Sequence, residues 1–524
     1  MRTAIVLAIV IFSGTIGDIL VSRTMKRIGE VKDFSPRALF RVGIQVARCP
    51  LFWSGILLAA IAFFSFLALL SWAPVSFVVP ATALGYVVGT VAARFALNET
   101  VDLTRWIGVV LLCVGVAVTS FSEVSGELAP HSPHSLFEIL RWIVLALACG
   151  PFFYYLLGMY SARNFFLRQR RRGPYPMDFT PPVSILKPVR GTDRGAYENY
   201  ASFCRLDYPE YEMVFVVEDD EDPAIPVIQK VMADFPATKI RMLVGAEDLG
   251  YSNKVCKMVR LVREASYELF VLSDSDVRVE PDYLRMIVEN FKDPAVGAVT
   301  TVFKGIEDGN LGSQLDCLGA SIEFCGGALV ANQLEGVQFA HGASMAARKA
   351  TLARIGGFEA LVDNHSDDFE FGNRIAKLGY RVEIARKPLC MVFGTETLGE
   401  YLRHELRWAI GLRHVRPGGH AGLLFTQGLP WAVLAALIAP SHAISAAYLL
   451  AYLVFRFLHT WTVGVWGLKD PVVRKKFWLM PVRDFFAFPV WVCSFFTNRI
   501  QWRGAQFTIR KGILVPVEAP PARG

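Results

Sequence analysis

The sequence predicts an α/β domain set between transmembrane helices, and three observations carry that expectation. The 524 residues are 53% hydrophobic and only 19% charged, too apolar for an average water-soluble globule. The apolar residues gather in long runs toward both ends, whereas residues from about 175 to 420 have ordinary globular composition. That middle alternates short β-rich runs with helix-period stretches, the pattern of a mostly parallel sheet covered by helices.

Apolar runs of spanning length, roughly 20 residues, lie near residues 4–22, 51–72, 74–93, 105–122 and 138–160. The first resembles a signal peptide as far as Leu20. Arg23-Thr24-Met25-Lys26-Arg27 follows without a small-residue cleavage site, so an uncleaved helix is expected. Residues 424–440 and 443–467 come after the middle. The run Asp484 to Thr497 holds Pro489 and is too short to span.

Basic residues set the orientation. The loop holding Arg23, Lys26, Arg27, Lys32, Arg37, Arg41 and Arg48 is expected on the cytoplasmic side. Phe121 to Phe137 has no Lys or Arg, and the fifth helix exits into Arg163, Arg168 and Arg170 to Arg172. The middle domain is therefore expected in the cytoplasm, on a multi-pass protein of a bacterial cell membrane. The net charge of +7 has its excess in such flanking loops, which assigns it to topology and anionic lipid rather than to a nucleic-acid partner. Nine cysteines without a Cys-x-x-Cys pair read as reduced thiols, not zinc ligands.

In the middle, Val183 to Pro188 reads as a strand, Ala196 to Cys204 as a helix and Met213 to Val217 as a strand. Ala224 to Asp234 (helix), Ile240 to Val244 (strand) and Asn253 to Ala265 (helix) follow. Leu269 to Leu272, Pro281 to Phe291 and Val296 to Val302 continue as strand, helix and strand. Charged clusters punctuate this order: Glu218-Asp219-Asp220, Asp274-Ser275-Asp276, Asp367-Asp368 and His404-Glu405-Leu406-Arg407-Trp408. Acids at strand ends face the crevice where an open α/β sheet binds ligands. Asp274 and Asp276 offer hard oxygen ligands to Mg²⁺ or Mn²⁺ and leave positions open for a diphosphate. A later acid, Asp367 or Asp368, suits a general base, and Ser366 or Asp367 is expected to cap the helix that follows. The set reads as sugar transfer from a nucleotide diphosphate to an acceptor at a membrane.

Several segments resemble ceramide glucosyltransferases and the bacterial glycosyltransferases of hopanoid lipid synthesis. They are Val183-Ser184-Ile185-Leu186-Lys187-Pro188-Val189-Arg190-Gly191, Leu206-Asp207-Tyr208-Pro209, Asp222-Pro223-Ala224-Ile225 and Asp274-Ser275. The resemblance runs over about residues 138–515, including Gln501-Trp502-Arg503-Gly504. It implies a nucleotide-sugar-binding domain of GT-A type, a UDP-sugar donor, a ceramide- or hopanoid-type lipid acceptor, inversion at the anomeric carbon and a D, D, D, (Q/R)xxRW set. On that pattern Asp219 contacts the nucleotide, Asp274 and Asp276 hold the metal, and Asp368, with Asp367 one residue away, is the base. Arg407 and Trp408 match the last motif, but His404 stands where Gln or Arg is expected. Arg403, four residues from Arg407, is expected to share the phosphate-facing role. Lys187, Lys254, Gly342 and Ser344 are assigned to the donor side. The spacing of Leu398, Tyr401, Leu402, Glu405, Trp408 and Leu412 also predicts an amphipathic helix whose apolar face lies on lipid.

Residues 1–122 resemble small multidrug resistance transporters and drug/metabolite transporter halves. The resemblance rests on Ile16-Gly17, Met25-Lys26, Leu97-Asn98-Glu99, Trp106-Ile107-Gly108-Val109 and Val114-Gly115-Val116. Gly14 stands where those transporters carry an embedded Glu, and Asp18 reads as an interfacial acid within reach of water or Arg23. The expected organisation is a four-helix module at 1–122, a linker and fifth helix at 123–172, the α/β domain at 173–420, and C-terminal spanning and interfacial helices with a short tail at 421–524. Two rivals stand beside the lipid glycosyltransferase: a processive polysaccharide synthase, and a lipid transporter with a degenerate nucleotide-binding domain.

Overall fold

The structure, a computed structural model, describes residues 2–28, 45–46, 49–73, 75–96, 108–109, 136–307, 309–394, 397–502, 505–510 and 512–517. It divides into two compact units, Met1–Cys149 and Gly150–Gly524. The division falls inside the stretch expected as linker and fifth helix.

In the first unit, helices Arg2–Ile28 and Pro50–Leu70 pack along each other. Small residues allow the approach: a Cβ on Gly55 would lie 3.0 Å from the Gly17 carbonyl oxygen. The third expected span is instead two shorter helices, Val75–Thr82 with Pro80 inside it and Leu84–Ala96, as a proline that removes a backbone donor favours. The expected fourth span, apart from residues 108–109, lies outside the described residues. So do Leu97-Asn98-Glu99, Val114-Gly115-Val116 and most of the first basic loop. Among the described residues, four helices are long and apolar enough to cross a membrane: Ile5–Met25, Pro50–Leu70, Glu138–Arg170 and His442–Gly467. A further pair, Pro417–Thr426 and Gly428–Ile438, is bent by 52° and forms a broken span or a re-entrant loop. The chain is a membrane protein.

Among the described residues, the α/β part of the second unit is built on ten strands: β1 (Val183–Pro188), β2 (Tyr211–Val217), β3 (Lys239–Val244), β4 (Leu269–Ser273), β5 (Val277–Arg278), β6 (Val296–Thr300), β7 (Phe303–Ile306), β8 (Ser344–Arg348), β9 (Arg381–Ile384) and β10 (Leu389–Val392). Seven form one sheet in the order β3-β2-β1-β4-β8-β6-β9, and β5, β10 and β7 form a smaller one. β1 pairs in parallel with both β2 and β4, and β2 with β3. β1 and β4 are buried along their whole length, which is why they read as continuous apolar runs. The expected α/β class and mostly parallel sheet are what the fold shows. β5 and β7 to β10 lie outside the strands expected from the sequence; among them, β8 (Ser-Met-Ala-Ala-Arg) runs antiparallel to β4 and β6, and its small residues carry no β signature. The helix expected over Pro281 to Phe291 is shorter, Tyr283–Val288, and tightens into a 3₁₀ turn.

The chain order reverses between β2-β1 and β1-β4, which opens a crevice at the carboxyl ends of those strands. Residues beyond 421 share this unit's core: Val463, Val473 and Met480 belong to the same buried cluster as β1 and β4. A C-terminal meander, β11 (Arg499–Trp502), β12 (Ala505–Arg510) and β13 (Ile513–Pro516), packs Ile500, Ile509 and Leu514 against Ile410. It also ties down the loop before Asp367: the Gly512 carbonyl accepts from His365 N–H at 2.9 Å, and the Asp363 carbonyl accepts from Leu514 N–H at 3.0 Å.

Candidate active site

β4 ends at Ser273 and delivers Asp274, Ser275 and Asp276 into a turn at the crevice. Lys187, fully buried near the end of the neighbouring β1, donates to the Asp274 carbonyl at 3.0 Å and to Ser273 Oγ at 3.3 Å. Burial draws its ammonium down to about 7 despite Asp274 and Asp276 nearby. Lys187 thus holds the turn from beneath, and the cavity wall begins one residue later, at Pro188. On the other side, Val392 N–H of β10 donates to the Asp276 carbonyl at 2.9 Å.

Three more elements converge here. Lys254, at the start of helix Asn253–Glu264, pairs with Asp274 at 2.8 Å. Burial opposes its charge, but Asp274, Asp367 and Asp368 outweigh that and hold it above the usual lysine range. Asp368, in the first turn of helix Asp367–Lys377, accepts from the Gly342 N–H at 2.9 Å. A Cβ on Gly342 would stand 3.3 Å from Asp368 Oδ2, 3.4 Å from Lys254 Nζ and 3.6 Å from Asp274 Oδ2. Gly342 is the hub where these three charges meet, and a Cβ there would crowd Asp368 first. Asp367 is buried, and its Oδ2 has no hydrogen-bond partner. Burial, with Asp368 and Asp274 beside it and Lys254 opposing, raises its carboxyl to about 6. Ser366 occupies the cap position of that helix, but its side chain makes no capping bond, so the expected cap is corrected.

Helix Leu398–Val415 brings His404, Glu405, Arg407 and Trp408 to the same cavity. His404 Nδ1 lies 2.9 Å from Asp316 Oδ1, a carboxylate only 2% exposed, so a buried acid orients this ring. Trp408 meets His404 edge-on and Phe324 at a tilt, at centroid distances of 4.8 and 5.2 Å. The expected lipid-facing stripe is corrected: Tyr401 is buried, and Leu398, Leu402 and Trp408 pack against the core. Apolar spacing marks a buried face as readily as a lipid-facing one.

Not every expected residue reaches the wall. Asp219 and Arg403 are exposed, and neither lines the cavity. Asp219 accepts from Glu221 N–H at 3.0 Å in its own turn. Ser344 is buried one residue beyond the lining, hydrogen-bonded to the Tyr283 hydroxyl at 2.6 Å. Conversely, His341, Glu323, Arg456, Arg483 and Asp484 line the cavity and were not singled out from sequence. Arg456 carried a usable signal, being a charge inside a long apolar run.

The cavity holds about 890 Å³, within the range of small-molecule sites. The charged sheet end gives way to a wall of Leu423, Pro430, Ala487, Val490 and Trp491. Asp274 and Asp276 fit a divalent cation by donor chemistry. Among the described residues no three ligating side chains gather.

Residues 142–515 match the family model described as "Glycosyl transferase family 21", and residues 3–135 match "Magnesium transporter NIPA". Ceramide glucosyltransferase 1 of Caenorhabditis elegans is 25% identical over 415 residues, 75% of this chain and 87% of that protein. A ceramide glucosyltransferase of Gibberella zeae is 27% identical over 184 residues, 33% of this chain and 35% of that one. A poly-beta-1,6-N-acetyl-D-glucosamine synthase of Staphylococcus epidermidis is 22% identical over 46% of this chain and 55% of its own. Among solved structures, a mannosyltransferase from Pyrobaculum calidifontis in complex with GDP-Man and Mn²⁺ overlays with a TM-score of 0.42 at 19% identity, covering 68% of this chain and 99% of that one.

Proposed function

We propose lipid glycosylation as the reaction: the chain belongs to glycosyl transferase family 21, and its donor is a UDP-sugar whose hexose or N-acetylhexosamine passes to a lipid hydroxyl, with inversion, at the cytoplasmic face. The observation that carries this is the convergence at Gly342, where Asp368 and Asp274 stand within 3.6 Å of one Cβ position in a cavity that turns apolar at its other end. A base and a diphosphate site must lie on either side of one sugar carbon for direct displacement.

Asp368 takes the proton of the acceptor hydroxyl, and the Gly342 N–H fixes that carboxylate. Lys254 keeps Asp274 balanced before substrate arrives. Mg²⁺ or Mn²⁺ on Asp274 and Asp276, when bound, supplies charge neutralisation to the departing diphosphate. Arg407 serves the phosphate oxygens, for which a guanidinium fork is suited, and Asp316 holds His404 toward them. Asp219, Arg403, Lys187 and Ser344 act from outside the cavity wall.

The test is mass spectrometry of lipid extracts from cells with and without the gene. A glycolipid carrying one added sugar, present only with the gene, is the expected result. A gene-dependent polysaccharide with unchanged lipids would favour the synthase instead.

A further inference from the structure

His341 lines the cavity but has no part in the chemistry above. It precedes Gly342, and consecutive Cα atoms stand only about 3.8 Å apart, so His341 flanks the point where Asp274 and Asp368 converge. The backbone pins it there. His341 N–H donates to Thr300 Oγ1 at 2.8 Å, and the His341 carbonyl accepts from Ser344 N–H at 3.2 Å. The residue is only 3% exposed.

The hydrogen bonds of the ring decide what it can do. Nδ1 lies 2.7 Å from the Thr301 carbonyl oxygen. A carbonyl can only accept, so Nδ1 carries the hydrogen, and in a neutral imidazole the other nitrogen then offers a lone pair. Burial holds the ring below the usual histidine range, against the Thr301 carbonyl and Asp368, which keeps it neutral.

Nε2 has no partner among the described residues, and the ring is enclosed by aromatic groups. Phe324, Phe339 and Phe303 have ring centroids 4.7, 5.4 and 6.1 Å from it. A lone pair in apolar surroundings is costly unless something donates to it. Diphosphate oxygens have no hydrogen to give, and the acceptor hydroxyl gives its own to Asp368. The group left to donate at this point is a hydroxyl of the sugar.

We infer that His341 is a specificity-determining residue whose Nε2 accepts a hydrogen bond from one hydroxyl of the transferring sugar. The inference rests on the proposed transfer from a UDP-sugar and names a group that reads that sugar. A donor without the hydroxyl leaves the lone pair buried and unpaired, which is how a polar site rejects an analogue.

The experiment uses the full chain in lipid nanodiscs with one fixed lipid acceptor. The better of UDP-glucose and UDP-N-acetylglucosamine is compared by kcat/KM with its deoxy analogues, each lacking one hydroxyl. The wild type is expected to lose about tenfold with one of them. His341→Asn keeps a donor for the Thr301 carbonyl, and His341→Phe keeps the aromatic volume, but neither retains Nε2. Each should lose about tenfold on the full donor, and removing the sensitive hydroxyl should then cost nothing further, while penalties at the other positions stay as in the wild type. A penalty that persists in either variant that still turns over the full donor overturns the inference. So does a wild type equally active on every analogue, or a variant in which all penalties vanish together. A wild type that transfers sugar from neither UDP-glucose nor UDP-N-acetylglucosamine overturns the proposed function itself.

Discussion

The two ends of the cavity concentrate charge in different ways. At the sheet end, Asp274 follows a strand, and Lys254 and Asp368 stand in the first turns of helices, each placed by the end of an element. At the far end, Arg456 lies inside a helix of spanning length, and Glu323 and Asp484 approach it from elements more than a hundred and fewer than thirty residues away in sequence, respectively. A strand end presents its charge toward substrate and leaves the fold's core untouched. A mid-helix charge must be matched by other helices before the fold can close around it. The lesson is that losing a sheet-end group should cost rate, whereas losing one partner at the far end should cost stability.

The largest effect belongs to the sheet end. Asp368→Asn keeps shape but cannot accept the proton, so transfer should fall by about 10²- to 10⁴-fold with UDP-sugar binding and Tm retained. Asp274→Ala should act similarly on rate, and a chelator should abolish transfer in the unmodified enzyme. If Asp367→Asn is the dead variant and Asp368→Asn is active, the roles of these neighbours are exchanged.

Next comes the far end. Arg456→Leu alone leaves Asp484 buried with only the more distant Arg483, 3.9 Å away, a loss of about 3–5 kcal/mol, read as a lower Tm in detergent. A variant as stable as the wild type, yet inactive, would erase the contrast between the two ends.

Smaller still is Gly342→Ala. The added methyl meets Lys254 and Asp274 at ordinary contact distance but must push Asp368 Oδ2, 3.3 Å away, back by a few tenths of an ångström. Transfer is expected to slow by about tenfold through misplacement, with little change in Tm. An unaffected rate would remove Gly342 as the hub.

The smallest effect concerns pH. Burial, then Arg407 and His414, hold the His365 imidazole down at about 4. A histidine depressed on folding contributes stability that is present above its unfolded pKa, about 6.5, and lost as pH falls toward 4, because the unfolded chain binds the proton more readily. Tm should therefore drop between pH 7 and pH 5, and His365→Gln should flatten that slope. An equal slope in both proteins would show that other groups carry it.

This contrast also explains what the sequence revealed. Apolar runs ending in acids announced β2 and β4, and the Asp-x-Asp at 274 and 276 was visible because strand, turn and acid are contiguous. β8 was not legible, since Ser344–Arg348 becomes a strand only by inserting between β4 and β6. Arg403 and Arg407 share a helix face by spacing, yet Arg403 is exposed while Arg407 lines the cavity. Four residues of separation bring side chains near each other without saying which neighbour a wall will cover. Asp316 beside His404, 88 positions apart, and the Glu323–Arg456–Asp484 set are tertiary matches. No local pattern encodes them.

The most direct measurement is reconstitution of the purified full chain in nanodiscs with a UDP-sugar, Mg²⁺ or Mn²⁺ and an N-acyl amino alcohol lipid, followed by mass spectrometry of the lipid. The account predicts a product heavier by a single sugar, formed by the wild type and absent with Asp368→Asn, while both proteins bind the donor. Release of UDP with the lipid unchanged, or the same glycolipid from Asp368→Asn, would contradict it.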